Sequence, residues 1–523
     1  MHQFPDLMVL LAVALVITAL ARRWELSEPL VLVLAGLALS FVPGVPDYAI
    51  DPELILVLVL PPLLYSAALT SSTIGLRANA RPIGSLALGA VLVTTLAIAL
   101  VAWWLVPAMP LGAALVLGAV VAPPDAVAAT SIGRRLGLPR RVMTVLSGES
   151  LVNDATALTA YRVAVATVLG TGYTLLAGVG VFLLATIGGL VVGWLVGWAV
   201  HRARRALADG VLESALGLLV PFAAYLLAEG INASGVLAVV VAGLYLGQRS
   251  PTGSASVRLQ DRAVWLSADT LLEALVFALI GLQLRSVTEG VAGQLVPLVL
   301  VGAALTATVV LVRAAWVFAT LQLPELLLRR GPAPPWRYGA VVSWAGMRGV
   351  VSLAAAAAIP QFTSTGAPFP QRPQVLFLAF FVTLGTLLLH GLTLPWVIRA
   401  LGVRGGERYT DALAEAEAAH NAALAARRRL DELSADDPPP DEVAEHLRRS
   451  AERRSNRAWE RLGRSAEEVG ESPGAAYRRL RAGMLAAERE VFVRFRDEGR
   501  IDDVVLRRVL HELDLEDVML QRE

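Results

Sequence analysis

Long apolar blocks alternate with short polar stretches along the chain up to about residue 400. Most blocks have the roughly 15–28 residues that a helix needs to cross ~30 Å of hydrocarbon at 1.5 Å per residue. The pattern therefore predicts an all-α, polytopic membrane protein with about thirteen transmembrane helices. The predicted segments span residues 6–21, 29–42, 52–70, 83–106, 111–133, 141–169, 173–200, 212–229, 232–247, 264–284, 291–321, 338–359 and 373–399.

Composition and charge divide the chain at about residue 400. The 523 residues are 56% hydrophobic and 17% charged, whereas about a quarter of the residues in a soluble domain are charged. Residues 1–400 contain 23 arginines and 17 acidic residues, and residues 401–523 contain 22 arginines and 27 acidic residues. We therefore predict a transmembrane domain over 1–400 and a soluble, charge-dense tail over 401–523.

The distribution of arginines predicts the orientation of the chain in the membrane, and apolar spacing predicts helices in the tail. The predicted loops on one side of the membrane hold seventeen arginines, and those on the other side hold only Arg285 and Arg372. Because arginine-rich loops stay on the cytoplasmic side, we predict a protein of the cell (inner) membrane with its N-terminus on the outer side and its tail in the cytoplasm.

Apolar residues at helical spacing follow Ser472-Pro473 in the tail. Such helices are expected to pack on each other or on a second subunit, and a regulatory, ligand-sensing role is the alternative.

The sequence GESLVNDATALTAYR, residues 148–162, places charged groups within four turns of segment 6. An ionisable side chain at mid-membrane costs about 2.5–3.5 kcal/mol, so it usually faces a partner or a water-filled cavity. Glu149 and Asn153 share one helix face. Ser150 and Asp154 share the adjacent face, where their oxygens suit a small hard cation and the carboxylate can hold a proton instead. A structural ion pair or polar network between helices is the alternative.

Two segments contain residues that interrupt a helix. Segment 5 has Pro123-Pro124-Asp125 near its middle, and paired prolines remove two N–H donors and disfavour the helix before them. Segment 12 places two glycines around Arg348 in the sequence SWAGMRG. Broken helices with a charged residue at the break are typical of secondary transporters, because freed carbonyls and half-helix ends can hold ions. A simple proline kink and close helix packing at the glycines are the alternatives.

Several other charged residues need a partner within the membrane. Arg162 lies thirteen residues beyond Glu149, about 20 Å along the helix, and cannot reach it. Arg313 in segment 11 is therefore the predicted partner of Glu149, in a mainly architectural pair. The sequence assigns no partner to Arg162. Asp269 and Glu273, spaced i, i+4 on segment 10, fit either a cation access route or a helix interface.

Five motifs together resemble the monovalent cation:proton antiporter family, in its sodium/proton exchanger (NhaP-like) branch. They are GESLVNDATAL in segment 6, PPDAVAATSI in segment 5, SGVLAVVVAGLYLG at 234–247, LLEALVFALIGLQL at 271–284 and WAGMRGVVSLAAAAAIP at 344–360. The resemblance covers most of residues 1–400. It implies a thirteen-helix fold with inverted repeats and two discontinuous helices, a core domain that moves against a dimerisation domain, and a homodimer.

The resemblance also implies roles for individual residues. Asp154 would be the shared carrier of the cation and the proton, with Asn153 holding the local network. Relatives with this Asn-Asp pair are taken as electroneutral, which implies one Na⁺ for one H⁺. The other matches are Ser150 for the hydroxyl near the ion, Asp125 for the acid of the crossed segment, Glu149 with Arg313 for the buried pair, and Arg348 for the arginine of the Gly-x-Arg-Gly motif.

The chain departs from the family pattern in segments 3 and 5. Many relatives carry an acid after the paired prolines of segment 3, where this chain has Ser66, which can ligate a cation weakly but supplies no charge. Pro124 replaces the hydroxyl residue that some relatives place before the aspartate of segment 5. The resulting predicted cation ligands are Asp154, Ser150, Asp125 and Ser66, with K⁺ left open beside Na⁺ and Li⁺.

We therefore predict a secondary active transporter that exchanges Na⁺ or Li⁺ for H⁺ by alternating access, with competition between the ions at Asp154. Its predicted partners are these ions, membrane lipids and a second copy of the chain, with no cofactor and no nucleic acid. An enzyme is not predicted, because the sequence has no cysteine, no convincing nucleophile–base pair and no phosphate-binding loop. A K⁺/H⁺ antiporter and a cation channel gated by the tail are the alternatives.

Overall fold

The computed structural model describes the chain in nine largely helical stretches. These are residues 3–43, 57–170, 175–207, 209–250, 255–321, 335–405, 407–436, 439–460 and 473–522. Within these stretches no strand forms beyond an isolated bridge between Phe362 and Pro368. The chain folds into two compact units, Met1–Gly405 and Gly406–Glu523.

The described part of the first unit contains one short 3₁₀ helix, Ala292–Gln294, and is built from seventeen main helices. They are α1 (Gln3–Arg23), α2 (Glu28–Ser40), α3 (Leu60–Thr70), α4 (Thr73–Ala78), α5 (Ala80–Leu105), α6 (Leu111–Val121), α7 (Ala126–Leu136), α8 (Arg140–Val168), α9 (Leu175–Leu207), α10 (Gly210–Gly230), α11 (Gly235–Arg249), α12 (Ala255–Leu282), α13 (Leu284–Glu289), α14 (Leu295–Leu321), α15 (Trp336–Trp344), α16 (Val350–Ala357) and α17 (Arg372–Leu401). A π-helical stretch, Ser85–Ala90, lies within α5. Each predicted segment coincides with one of these helices or with two half-helices, although residues 52–56 of segment 3 and 173–174 of segment 7 lie outside the described part. The predicted all-α, polytopic class is confirmed.

Six of the described helices are long and apolar enough to cross a membrane by length and composition. Large apolar side chains cover their outer surfaces, and Trp104, Leu184 and Trp396 are each at least 70% exposed. Apolar surface of this extent is unfavourable in water and is expected in contact with lipid. α8 has 29 residues and is long enough to cross, but its charged residues set it apart from the six.

Helix boundaries depart from the apolar pattern where polar residues continue a helix. The pattern begins segment 10 at residue 264, whereas α12 begins at Ala255. The added turns include Asp261, which pairs with Arg204 of α9 at 3.3 Å. A polar helix end that is paired in this way has no apolar signature, so hydrophobicity alone places the start of the helix too late.

The helices of the first unit pack in two groups. The first group contains α8 and both interrupted helices, and it consists of α5 to α8 and α14 to α17. The second group consists of α1 to α3 and α9 to α12. Leu151 and Ala155 of α8 join an apolar cluster formed mainly by α3, α10 and α11. α8 therefore lies along the boundary between the two groups.

The second unit is helical, as predicted for the tail. Its described helices are α18 (Glu407–Asp436), α19 (Asp441–Glu460), α20 (Pro473–Asp497) and α21 (Asp503–Arg522). α18 packs against α19, and α20 packs against α21 through Leu485, Leu513 and Leu520. Arg481 of α20 also pairs with Glu516 of α21 at 2.6 Å, and this hydrogen bond lowers the pKa of the Glu516 carboxyl. The pair therefore contributes its full stabilisation at pH values above the pKa of this carboxyl in the unfolded chain. The contribution is lost as the pH falls through the lower pKa of the folded protein.

Candidate functional site

The middle of α8 buries charged and polar side chains. Glu149, Asn153 and Asp154 are at most 6% exposed, and Ser150 is half-buried. Helical spacing places Ser150 one turn before Asp154 on the same face. Among the described residues, no group donates a hydrogen bond to the Asp154 carboxylate, and Asp125 is its electrostatic neighbour. A buried carboxylate without a donor is costly as an anion, so it requires a proton or a cation.

The two interrupted helices meet at their breaks. One break, at 122–125, separates α6 from α7, and the other, at 345–349, separates α15 from α16. The Asp125 N–H in the first break donates a hydrogen bond to the Met347 carbonyl in the second break at 2.6 Å. The predicted interruptions are therefore present, and their backbones are joined directly.

Arg348 fills the space between the two breaks and is 1% exposed. Its Nε donates to the Val121 carbonyl at 3.0 Å, and its Nη2 donates to the Ala122 carbonyl at 3.1 Å. Nη1 donates to the Gly346 carbonyl in its own break. The last carbonyls of a helix carry partial negative charge and lack helical donors. The guanidinium therefore both satisfies and neutralises the end of α6.

Asp125 begins α7 and faces the second break. Its Oδ1 accepts a hydrogen bond from the Val127 N–H at 2.8 Å, as a helix N-cap does. The carboxylate passes so close to Gly349 that a Cβ atom at that position would overlap it. Residue 349 must therefore be glycine for Asp125 to keep this position.

Asn153 connects α8 to the first break. Its Nδ2 donates to the Pro124 carbonyl at 2.7 Å, and its buried Oδ1 has no partner in the part of the chain that the structure describes. The amide supplies a donor to a carbonyl that the interrupted helix leaves unpaired. Because an amide does not titrate, this connection is independent of the protonation state of the neighbouring carboxylates.

A narrow cavity, too small to admit a water molecule, lies beside the first break. It is lined by Pro124, Asp125, Leu146, Glu149, Ser150, Arg313 and Ala345. The structure thus brings together Asp125 and Ser150, two of the four predicted cation ligands. The other two, Asp154 and Ser66, do not line this cavity.

Glu149 and Arg313 form a buried ion pair with two hydrogen bonds, as expected from the sequence. Nη1 of Arg313 lies 2.6 Å from Oε1 of Glu149, and Nη2 lies 2.9 Å from Oε2. The guanidinium also donates to the Val342 carbonyl of α15, from Nη2 at 3.1 Å and from Nε at 3.3 Å. The pair therefore connects α8 to α14 and α15.

Ser66 has a charged partner that the sequence pattern did not predict. Ser66 lies on α3 and donates to Oδ2 of Asp269 on α12 at 2.5 Å. Oδ1 of Asp269 is buried and has no partner among the residues described. Glu273, one turn further along α12, is an electrostatic neighbour of both Asp269 and Asp125. The uncharged hydroxyl of segment 3 is therefore accompanied by a carboxylate from segment 10.

Arg162 also has a partner that the sequence did not assign. Its Nη2 lies 2.7 Å from both carboxylate oxygens of Glu229, at the end of α10. The available signal was position, since both residues lie near the end of a predicted segment on the same side of the membrane. The pair lies two turns beyond Asp154 on α8 and does not touch the candidate site.

The described residues contain no group of three or more His, Cys, Asp or Glu side chains that could hold a metal ion. This finding concerns a resident metal. A transported cation is a substrate, which needs ligands only for the time that it is carried.

Comparisons of the sequence and the fold with known proteins show which proteins this chain is similar to. A family model described as "Sodium/hydrogen exchanger, transmembrane" matches residues 10–400. The chain is 37% identical over 525 residues to an uncharacterized Na(+)/H(+) exchanger of Mycobacterium tuberculosis, covering 98% of this chain and 95% of that protein. It is 31% identical over 385 residues to a sodium, potassium, lithium and rubidium/H(+) antiporter of Bacillus subtilis, covering 70% of this chain and 57% of that protein. Its fold is similar to that of the sodium proton antiporter MjNhaP1 from Methanocaldococcus jannaschii, with a TM-score of 0.61 and 19% identity, covering 77% of this chain and 99% of that one.

Proposed function

The chain belongs to the sodium/hydrogen exchanger family, and on this premise we propose that it exchanges Na⁺ or Li⁺ for H⁺ by alternating access. The observation that carries the proposal is the Asp154 carboxylate, which is 6% exposed and receives no hydrogen bond from a described residue. Such a group is stable in the membrane only when a proton or a cation neutralises it. A single carboxylate that takes either ion, but not both together, is sufficient to couple the two fluxes.

The proposed cation ligands are oxygen atoms of Asp154, Ser150 and Asp125. Ser150 lies one turn from Asp154, and Ser150 and Asp125 line the cavity beside the first break. Hard oxygen ligands suit Na⁺ and Li⁺. Ser66 is proposed to contribute together with Asp269, to which it donates a hydrogen bond.

A one-for-one, electroneutral exchange is proposed from the neutrality of Asn153. Asn153 is held by the Pro124 carbonyl and cannot carry a proton in the cycle. Glu149 is committed to Arg313 by two hydrogen bonds. Asp154 therefore remains as the one carboxylate on this part of α8 that is available to exchange its ion.

Alternating access is proposed to move the first group of helices against the second. Arg348 is proposed to keep the two crossed breaks together during this movement, through its bonds to the Val121 and Ala122 carbonyls. The second group is proposed to form a homodimer, and the tail over 401–523 to be cytoplasmic and either regulatory or dimer-forming. The uneven distribution of arginines between the loops supports an inner-membrane protein with its N-terminus outside.

Cation-dependent proton flux in everted membrane vesicles tests the proposal. Added Na⁺ or Li⁺ is expected to dissipate an imposed pH gradient. For a one-for-one exchange the rate is expected to stay the same when a permeant anion collapses the membrane potential. A proton leak that does not depend on the cation, or a passive uncoupled current in a planar bilayer, would contradict the proposal.

K⁺/H⁺ exchange is the second candidate, because the relative from Bacillus subtilis is named for sodium, potassium, lithium and rubidium. The same assay, with Na⁺, Li⁺ and K⁺ compared at equal concentrations over a range of pH, separates the two candidates. If K⁺ dissipates the pH gradient and Na⁺ and Li⁺ do not, K⁺ replaces Na⁺ as the proposed substrate.

Asp269→Asn is expected to raise the Na⁺ concentration that gives half-maximal proton flux about fivefold, with the maximal rate nearly unchanged. The loss of a nearby carboxylate, at an effective dielectric constant of about 20, weakens cation attraction by roughly 1 kcal/mol. Asp209→Asn makes the same chemical change at the exposed cap of α10 and is the control, with an unchanged half-maximal concentration expected. A half-maximal concentration that is unchanged in Asp269→Asn would exclude Asp269 from the cation path.

A further inference from the structure

Arg162 and Glu229 form an ion pair between α8 and α10. Nη2 of Arg162 lies 2.7 Å from each carboxylate oxygen of Glu229. Oε1 of Glu229 also accepts the N–H of Gly235, the first residue of α11, at 3.2 Å. The pair therefore connects α8 to the adjoining ends of α10 and α11.

This ion pair bridges the two groups of helices, because α8 belongs to the first group and α10 and α11 belong to the second. Elsewhere along α8 the boundary contains apolar side chains such as Leu151 and Ala155. Hydrophobic contact is non-directional, so these side chains can slide past their neighbours. An ion pair with two short hydrogen bonds instead favours one relative position of the helices, and it is broken when they move apart.

The pair is aligned with the proposed ion carrier. Asp154, Leu158 and Arg162 follow one another at four-residue spacing along one side of α8. Leu158 lines a narrow void, together with Pro123 of the first break and other mostly apolar residues. The side chains of Arg162 and Glu229 are 44% and 28% exposed. The pair is therefore partly exposed on the protein surface, whereas apolar side chains surround the void one turn closer to Asp154.

We propose that the Arg162–Glu229 ion pair is a latch that keeps the transporter closed on the face opposite the arginine-rich loops. Opening of the pair would accompany the movement that exposes Asp154 to that face. This inference rests on the alternating access proposed above. An ion pair exposed to water is weak, so the latch shifts the balance between two conformations without locking either of them.

A single introduced cysteine tests the latch, because the chain contains no cysteine of its own. Leu158→Cys is introduced, and its rate of reaction with a membrane-impermeant thiol reagent is measured from the face opposite the arginine-rich loops. Adding Arg162→Gln or Glu229→Gln is expected to speed the labelling about two- to fivefold, the range that corresponds to loss of a water-exposed ion pair. The charge-exchanged combination of Arg162→Glu with Glu229→Arg is expected to return the rate toward that of Leu158→Cys alone.

Arg135→Gln is the matched control. Arg135 of α7 also links the two groups, since its guanidinium donates to the Glu25 carbonyl between α1 and α2, but it does so at the arginine-rich end. Its removal is expected not to speed labelling from the opposite face. The latch is overturned if neither glutamine variant speeds labelling, or if Arg135→Gln speeds it as much as they do.

Labelling also separates the latch from the proposed function, because it needs no ion exchange. Faster labelling in vesicles that show no cation-dependent proton flux would leave the latch standing and remove the exchange. Normal cation-dependent proton flux with unchanged labelling rates would support the exchange and overturn the latch. Size-exclusion elution in detergent checks that each variant is folded. Arg162→Lys, which keeps the positive charge and is expected to keep labelling slow, replaces the charge-exchanged protein if that one aggregates.

Discussion

Asp154→Asn is expected to reduce cation-dependent proton flux in everted vesicles to the level of vesicles that lack the protein. The substitution preserves the shape of the side chain, but an amide can neither release a proton in the transport cycle nor balance the charge of a cation. The carboxylate has no described hydrogen-bond donor, so little of the surrounding structure depends on its charge. The variant is therefore expected to fold and insert normally while exchange is lost.

Asp209→Asn is the matched control for this substitution. Asp209 is exposed and caps α10, where its Oδ1 accepts hydrogen bonds from the Val211 and Leu212 N–H groups at 2.8 and 3.1 Å. The same chemical change at this position is expected to leave the flux nearly unchanged. Both variants are measured by the recovery of a pH-sensitive dye when Na⁺ is added. A flux near the wild-type level in Asp154→Asn would remove Asp154 as the shared carrier.

Removing one member of the Glu149–Arg313 pair is expected to cost more stability than removing both. Glu149→Leu leaves a buried guanidinium, and Arg313→Met leaves a buried carboxylate, at an expected cost of about 3–5 kcal/mol each. The double variant leaves no unpaired charge, so it is expected to be more stable than either single variant. Arg313→Met is expected to be the less stable of the two, because the Val342 carbonyl also loses its donors.

Thermal unfolding in detergent gives the order of stability of the wild type, the two single variants and the double variant. The control is Arg285→Met, which breaks an exposed ion pair with Glu289 within α13 and is expected to change stability by less than about 1 kcal/mol. The expectation is wrong if the double variant is less stable than both single variants. The attraction within the buried pair would then exceed the cost of removing both charges from water.

The membrane helices could be located from the sequence because crossing hydrocarbon imposes a length on each apolar block. The interruptions were also visible, since Pro123 and Pro124 remove backbone donors and two glycines, Gly346 and Gly349, flank Arg348. The way in which the two breaks meet could not be predicted. The hydrogen bond from Asp125 to Met347 joins residues that are far apart in the chain, and no local pattern identifies such a partner.

Within the site, predictability depended on the number of available partners. Few cations lie inside the predicted segments, so Glu149 could be matched with Arg313 by elimination. The contact between Ser66 and Asp269 spans 203 positions, and a hydroxyl has many acceptable partners in a helical bundle. The sequence gives the helical phase of each residue but not the rotation of one helix against another, and that rotation decides which residues meet.

The charges around the crossed breaks balance. With all four groups ionised, Arg313 and Arg348 carry two positive charges, and Glu149 and Asp125 carry two negative charges, all within the first group of helices. Asp154 adds one negative charge, and the ion that it is proposed to carry adds one positive charge. Under the proposed exchange, the net charge of these buried groups is therefore the same with Na⁺ as with H⁺, so the transmembrane voltage favours neither loaded form over the other. The concentration gradients of the two ions would then set the direction of exchange in a polarised and in a depolarised cell alike.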